Sequence, residues 1–178
     1  MSKIKITLAD DWRQQIVQNM KVKTKLKIYL LAKNNFVRQG LIELVQKFPR
    51  INEIEGIESK KQLVKLISIS KPDLVIIDFD VQLIDGFEIC EYIISHSIES
   101  KILVISQYED EDTILKLMEM GVHGYLLKTT SPAELEKALY SICDNDIYRN
   151  DLVVNVLLNN RTKKNYLAAR SLLVAKKR

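Results

Sequence analysis

Residues 71–86, KPDLVIIDFDVQLIDG, decide how this chain folds. Pro72 and Asp73 break whatever precedes them, and Leu74, Val75, Ile76 and Ile77 follow as an unbroken apolar run rich in β-branched residues. Such a run reads as a strand buried on both faces of a parallel sheet. Two carboxylates come directly after it, Asp78 and Asp80. Ligands of open α/β sheets bind outside the carboxyl ends of the strands, so Asp78 sits where such a fold places its chemistry.

Outward from this stretch, the chain alternates strand and helix. On the N-terminal side, 27–31 (KIYLL) is a short apolar strand, Asn34 and Asn35 are capping residues, and 36–48 carries Val37, Leu41, Leu44, Val45 and Phe48 on one helical face. Residues 51–57 alternate imperfectly and read as an edge strand, and 59–69 as a helix. On the C-terminal side, 86–97 is a helix, 101–105 (KILVI) a second buried strand ending at Ser106, and 110–120 a helix closed by Gly121. A last strand, 125–127, is followed by Lys128, and Ser131-Pro132-Ala133-Glu134 is a capping box that opens a helix to about Cys143. Five β-α alternations with short connections predict one five-stranded, doubly wound parallel α/β sheet. The first strand has no Gly-rich loop after it, which argues against a dinucleotide or P-loop site.

Length and composition set bounds. The 178 residues suit one ordinary domain with short appendages. Cys90 and Cys143 lie far apart without metal spacing and read as free thiols of a reducing compartment. No apolar run is long enough to span a bilayer, and the N-terminus lacks a signal core. Residues 1–27 carry seven basic and two acidic groups, and residues 152–178 carry seven basic and none acidic. That leaves 13 of the 27 basic and 21 of the 23 acidic groups in an acidic middle between basic flanks. Basic flanks of this kind bind nucleic acid weakly or stay solvated. Residues 1–24 hold a weak helical stripe of Leu8, Trp12, Ile16 and Met20, expected to dock on the domain. Frequent Lys and Ile with scarce Ala, Gly and Pro are the bias of an AT-rich genome, such as an organelle's.

Three polar side chains follow three apolar strands: Asp78, Ser106 and Lys128, separated by 28 and 22 residues. The topology brings all three to one edge of the sheet. A carboxylate, a hydroxyl and an ammonium placed together can accept and hold a phosphoryl group.

These features resemble the receiver domain of bacterial two-component response regulators, a CheY-like fold, and within it the NarL/FixJ subfamily. The matching blocks, in order, are FVRQGL, PDLVIIDFDVQLIDGFE, KILVIS and GVHGYLLKTTSPAEL, spanning about residues 26–145. The resemblance implies that Asp78 is the phosphoacceptor, that Ser106 and Lys128 stabilise the phosphoryl group, and that Tyr125 is an aromatic that swings inward on activation. It implies a histidine kinase, DNA and a second copy of the chain as partners, and no enzymatic activity of its own.

The chain departs from the family pattern where metal should bind. The acidic pair after the first strand is replaced by Ala32 and Lys33, and no Asp or Glu occurs from Thr24 to Ile42. Asp78 and the Asp80 carbonyl remain as Mg²⁺ ligands with Asn34 as a weak substitute, so metal affinity should fall. Lys33 is expected beside Asp78, replacing the metal's charge. Gln82 stands where the family usually has Pro. The alternative function is therefore a phosphorylation-independent pseudo-receiver that binds a partner through its fourth helix and fifth strand. Residues 146–178 read as a linker helix to Asn160 and a short basic tail, too short for the family's helix-turn-helix domain. Composition and subfamily together resemble the NarL-type regulators encoded in red-algal plastids, which implies a stromal location, with a bacterial cytoplasm as the alternative.

Overall fold

The computed structural model describes residues 25–79, 85–96, 99–145 and 147–175. The N-terminal stripe, Asp80 and Gln82 lie outside them. Five strands, β1 (Leu26–Leu31), β2 (Ile51–Ile57), β3 (Leu74–Phe79), β4 (Lys101–Ser106) and β5 (Gly124–Leu127), form one parallel sheet in the order β2-β1-β3-β4-β5. Between them run α1 (Asn35–Val45), α2 (Lys60–Ile69), α3 (Asp85–His96), α4 (Glu111–Met120) and α5 (Pro132–Asn145), and α6 (Asp151–Ala175) follows. This is the doubly wound sheet expected, with residues 51–57 at one edge.

The alternation of side chains along a strand divides the core in two. Tyr29, Leu31, Val75, Ile77, Val104 and Tyr125 point to one face and pack with Leu63 and Ile67 of α2, Cys90 and Ile93 of α3, Ile114 and Leu117 of α4, and Val153 and Val156 of α6. Ile28, Leu30, Leu74, Ile76, Leu103 and Leu126 point to the other face, against Val45 of α1 and Leu135, Leu139 and Ile142 of α5. Leu74, Val75 and Ile76 have no solvent exposure at all. Burying each such side chain is worth about 1.5–3 kcal/mol, which explains why the 71–86 stretch occupies the middle of the sheet.

The helix ends follow their local chemistry. Asn34 accepts from the backbone N–H groups of Phe36 and Val37, Ser59 from Gln62, and Asp110 from Thr113. Gly121 closes α4 with φ +102°, in the left-handed region where a side chain is strained. One boundary differs from expectation. The segment divided at Asn160 into linker helix and tail is a single 25-residue helix, α6. Its first turns are fixed by Val153 and Val156, which are buried in the core, and the polar run after Asn160 continues the helix. Among the described residues no helix is long and apolar enough to cross a membrane.

Candidate phosphoacceptor site

The carboxyl edge of the sheet gathers the polar residues that follow β3, β4 and β5. Asp78, the fifth residue of β3, pairs in register with Ile105 of β4, and Ser106 pairs with Leu127. Lys128 is pinned by its own N–H donating to the Ser106 carbonyl at 2.8 Å. Its Nζ comes to 2.6 Å from Asp78 Oδ1. The side chains differ in exposure: Lys128 is 35% exposed and Asp78 only 11%. The ammonium thus supplies the counter-charge to the buried Oδ1, which has no other hydrogen-bond donor among the described residues.

Ser106 is fully buried, and its hydroxyl oxygen accepts from the Tyr108 backbone N–H at 3.3 Å. Tyr125 is fully buried and already turned inward. Its hydroxyl donates to the Tyr108 carbonyl at 2.6 Å. Burial holds the Tyr125 phenol above its ordinary pKa, against a smaller lowering from Ser106. The four residues thus share one edge, with Asp78 and Lys128 in direct contact and Ser106 and Tyr125 joined through the Tyr108 backbone. Tyr108 carried no signal in the sequence because it contributes main-chain atoms. Arg38 was visible within FVRQGL but had no role assigned. Its guanidinium donates to the Ala32 carbonyl at 2.6 Å and to Asn35 Oδ1 at 2.9 Å, and so fixes the loop between β1 and α1.

Lys33 does not replace a metal beside Asp78. It is exposed and makes no ion pair with Asp78, whose cation is Lys128. The register explains why. Leu31 pairs with Ile77, so the next residue, Ala32, lies abreast of Asp78, and Lys33 falls one residue beyond. Ala32 is buried with the apolar core on its face. A methyl group stands abreast of Asp78, and no three His, Cys, Asp or Glu side chains cluster to hold a metal among the described residues, which do not include Asp80. Cys90 is buried, which pushes its thiol up to about 12, while Cys143 is partly exposed; both are free thiols.

The face formed by α4 and β5, expected to receive a partner, is covered by α6. Asn150 donates from Nδ2 to the Tyr125 carbonyl at 3.2 Å and accepts the Val153 N–H at 3.1 Å, so it caps α6 while gripping β5. Farther along, Asn159 and Lys163 reach Glu111, and Lys164 reaches Glu119.

Known proteins resemble this chain in sequence and fold. A family model described as the response regulator receiver domain matches residues 28–140. The chain is 24% identical over 143 residues to a nitrate/nitrite response regulator homolog of Haemophilus influenzae, covering 80% of this chain and 69% of that protein. It is 25% identical over 130 residues to the nitrate/nitrite response regulator NarL of Escherichia coli, covering 73% and 60%. It is 28% identical over 114 residues to the transcriptional regulatory protein LiaR of Bacillus subtilis, covering 64% and 54%. The chain therefore spans between about half and two-thirds of the length of these relatives. In fold, a LuxR-family two-component response regulator from an Aurantimonas species superposes with TM-score 0.70 at 22% identity, over 78% of this chain and 99% of that one. The response regulator RcsB in complex with DNA superposes with TM-score 0.67 at 17% identity, over 75% and 67%. With the matched segment running from β1 into α5 and enclosing the Asp78–Lys128 edge, the chain belongs to the response regulator receiver domain family.

Proposed function

We propose that this chain is the signal-receiving part of a two-component transcriptional regulator, accepting a phosphoryl group on Asp78 from the phosphohistidine of a histidine kinase. The observation that carries this is the meeting of the nearly buried Asp78 with Lys128, 2.6 Å away, at the same sheet edge as the buried Ser106. An Asp78 oxygen attacks phosphorus, the O–P bond forms as the N–P bond breaks, and the leaving imidazole takes a proton from water. Lys128 shifts from the carboxylate to the incoming phosphoryl oxygens and offsets their charge. The Ser106 hydroxyl, whose oxygen now accepts a hydrogen bond, donates to one of them. Bound Mg²⁺ would offset phosphoryl charge beside Asp78, and Ala32 abreast of it offers the metal no side-chain ligand.

Family membership supports DNA and a second copy of the chain as partners of the whole regulator. The RcsB relatives include dimers bound to DNA. The lysine- and isoleucine-rich composition supports a plastid stroma as its location. The phosphorylation-independent reading is not favoured by these relationships. Acetyl phosphate tests the proposal directly. Incubation with the full chain, with and without Mg²⁺, is expected to add one phosphoryl mass, lost in Asp78→Asn. An unchanged mass under every metal condition overturns the assignment.

A further inference from the structure

We propose that residues 8–20 of this same chain seat as a helix in a groove between α1 and α5 and close that face to other partners. The groove measures about 340 Å³ and is lined by Val37, Leu41 and Leu44 of α1, Ile105 of β4, Leu126 of β5 and Leu135 of α5. Phe36 stands at its rim, 88% exposed. A lone exposed apolar residue is ordinary, but one continuous with an apolar groove belongs to a surface made to be covered. Gly40 opens the middle of the groove: a methyl group built there meets nothing within 4 Å. Glycine inside a helix costs about 0.5–1 kcal/mol relative to alanine, and at this position it leaves room for a side chain brought from elsewhere.

The chain supplies an occupant of matching length and pattern. Residues 1–27 precede the segment that the family model matches. Within them Leu8, Trp12, Ile16 and Met20 recur every fourth residue, while Gln14, Gln15 and Gln18 are polar. As a helix this stripe is about 18 Å long, against about 12 Å along α1 from Phe36 to Leu44. A helix so short is marginal alone in water, so its apolar stripe needs a surface.

The tether sets direction and register. β1 begins with Leu26 at the amino edge of the sheet, and the groove rises from there to Lys128 at the carboxyl edge. Residues 21–25, when extended, reach at most about 17 Å, enough to lay Met20 at the Leu44 end. The helix then runs parallel to α1, and with equal rise Ile16 comes level with Gly40 and Trp12 with Phe36. The fourfold spacing of the stripe thus matches Phe36, Gly40 and Leu44 in turn. Asp10 and Asp11, the two acidic groups of residues 1–27, arrive at the carboxyl edge, where Lys128 lines the groove and is 35% exposed. An ammonium has three N–H donors, so Lys128 can meet these acids while it faces Asp78. The seat does not depend on the acceptor role of Asp78.

Trp12 is the single tryptophan of the chain, so its fluorescence reports the seat in the full-length protein. Its emission is expected to be blue-shifted from that of free tryptophan and shielded from acrylamide, independently of protein concentration. Gly40→Leu fills the space assigned to Ile16. Phe36→Glu, at a residue too exposed to matter for folding, removes the rim and sets a like charge near Asp10 and Asp11. With circular dichroism verifying the fold, each variant is expected to shift the emission to the red and at least double the quenching constant. A wild-type Trp12 as quenchable as free tryptophan overturns the proposal. Shielding that fades on dilution also overturns it and assigns the groove to a second copy. Shielding that either folded variant leaves unchanged overturns it as well, because the segment then seats elsewhere. If Gly40→Leu does not fold, Phe36→Glu decides.

Discussion

Among the described residues Asp78 has one cation beside it, Lys128, and that fixes what its neighbours do when altered. Removing Lys128 leaves a nearly buried carboxylate without its counter-charge. Lys128→Ala is expected to lower stability by about 1–3 kcal/mol, less than for a fully enclosed pair because the lysine is 35% exposed. Adding Asp78→Asn to that variant is expected to recover most of the loss, and urea denaturation of the two variants checks both values. Ala32 is the position through which metal affinity can be restored. Ala32→Asp sets a second carboxylate abreast of Asp78 and is expected to tighten Mg²⁺ binding by at least about tenfold, or 1.4 kcal/mol, measured by titration calorimetry. Lys33→Asp alone is expected to do less, since it lies one residue past the register of Asp78. Gly86 shows close packing of another kind: a methyl group built there meets the Phe79 ring at 2.5 Å. Phe79 stands edge-on to Phe87, with centroids 5.1 Å apart, and cannot swing aside freely. Gly86→Ala is expected to cost about 1–3 kcal/mol.

At the scale of elements, α4 is the helix whose ends are best specified. Asp110 caps its start, and the hydrogen bonds from Thr113 hold the Asp110 carboxyl below the usual carboxylate range. Asp110→Ala is expected to cost about 1 kcal/mol, and Gly121→Ala about 1–2 kcal/mol because it forces a side chain into the left-handed region. Thermal melts of the single and double variants check the sum, since sites at opposite ends of a helix add nearly independently. The Gly121 end was readable in the sequence, whereas Asp110, read as the first helical residue, is the cap that precedes the helix. The course of α6 was not readable. Residues 159–165, NNRTKKN, carry no apolar periodicity, so local pattern placed a break at Asn160. The helix persists because Arg, Lys and Thr do not stop a helix already nucleated by buried Val153 and Val156. The docking of α6 on α4 was equally invisible, since nothing local to residues 150–164 names Glu111 and Glu119 as partners.

For the molecule as a whole, a doubly wound parallel sheet followed from five apolar runs and the handedness of their crossovers, and so the gathering of Asp78, Ser106 and Lys128 at one edge was legible. The finer placement of Lys33 was not, because a shift of one residue in register decides which side chain lies abreast of another. The same enclosure that orders Tyr125 makes stability sensitive to alkali. Burial raises the phenol of Tyr125, and those of Tyr140 and Tyr148 shift the same way, chiefly for the same reason. The folded state then binds these protons more tightly than the unfolded state. Their contribution is complete below the unfolded value near 10 and is lost as pH rises through the higher folded values. The urea midpoint is expected to fall between pH 9 and pH 11, and to fall less in Tyr125→Phe.

The strand order also governs how the chain can assemble. Leu31 meets Ile77 across 46 positions, and the shortest strand pairing, Leu103 with Gly124, still spans 21. With no hairpin in the sheet, every pairing must close a long loop before it is rewarded, which slows folding relative to helical bundles of similar size. During synthesis β1 and β2 emerge first and can pair, but β1 then waits with its other edge open until β3 arrives. Val75 and Ile76 thus close the nucleus rather than begin it, and conservative truncations there are expected to slow refolding more than they speed unfolding.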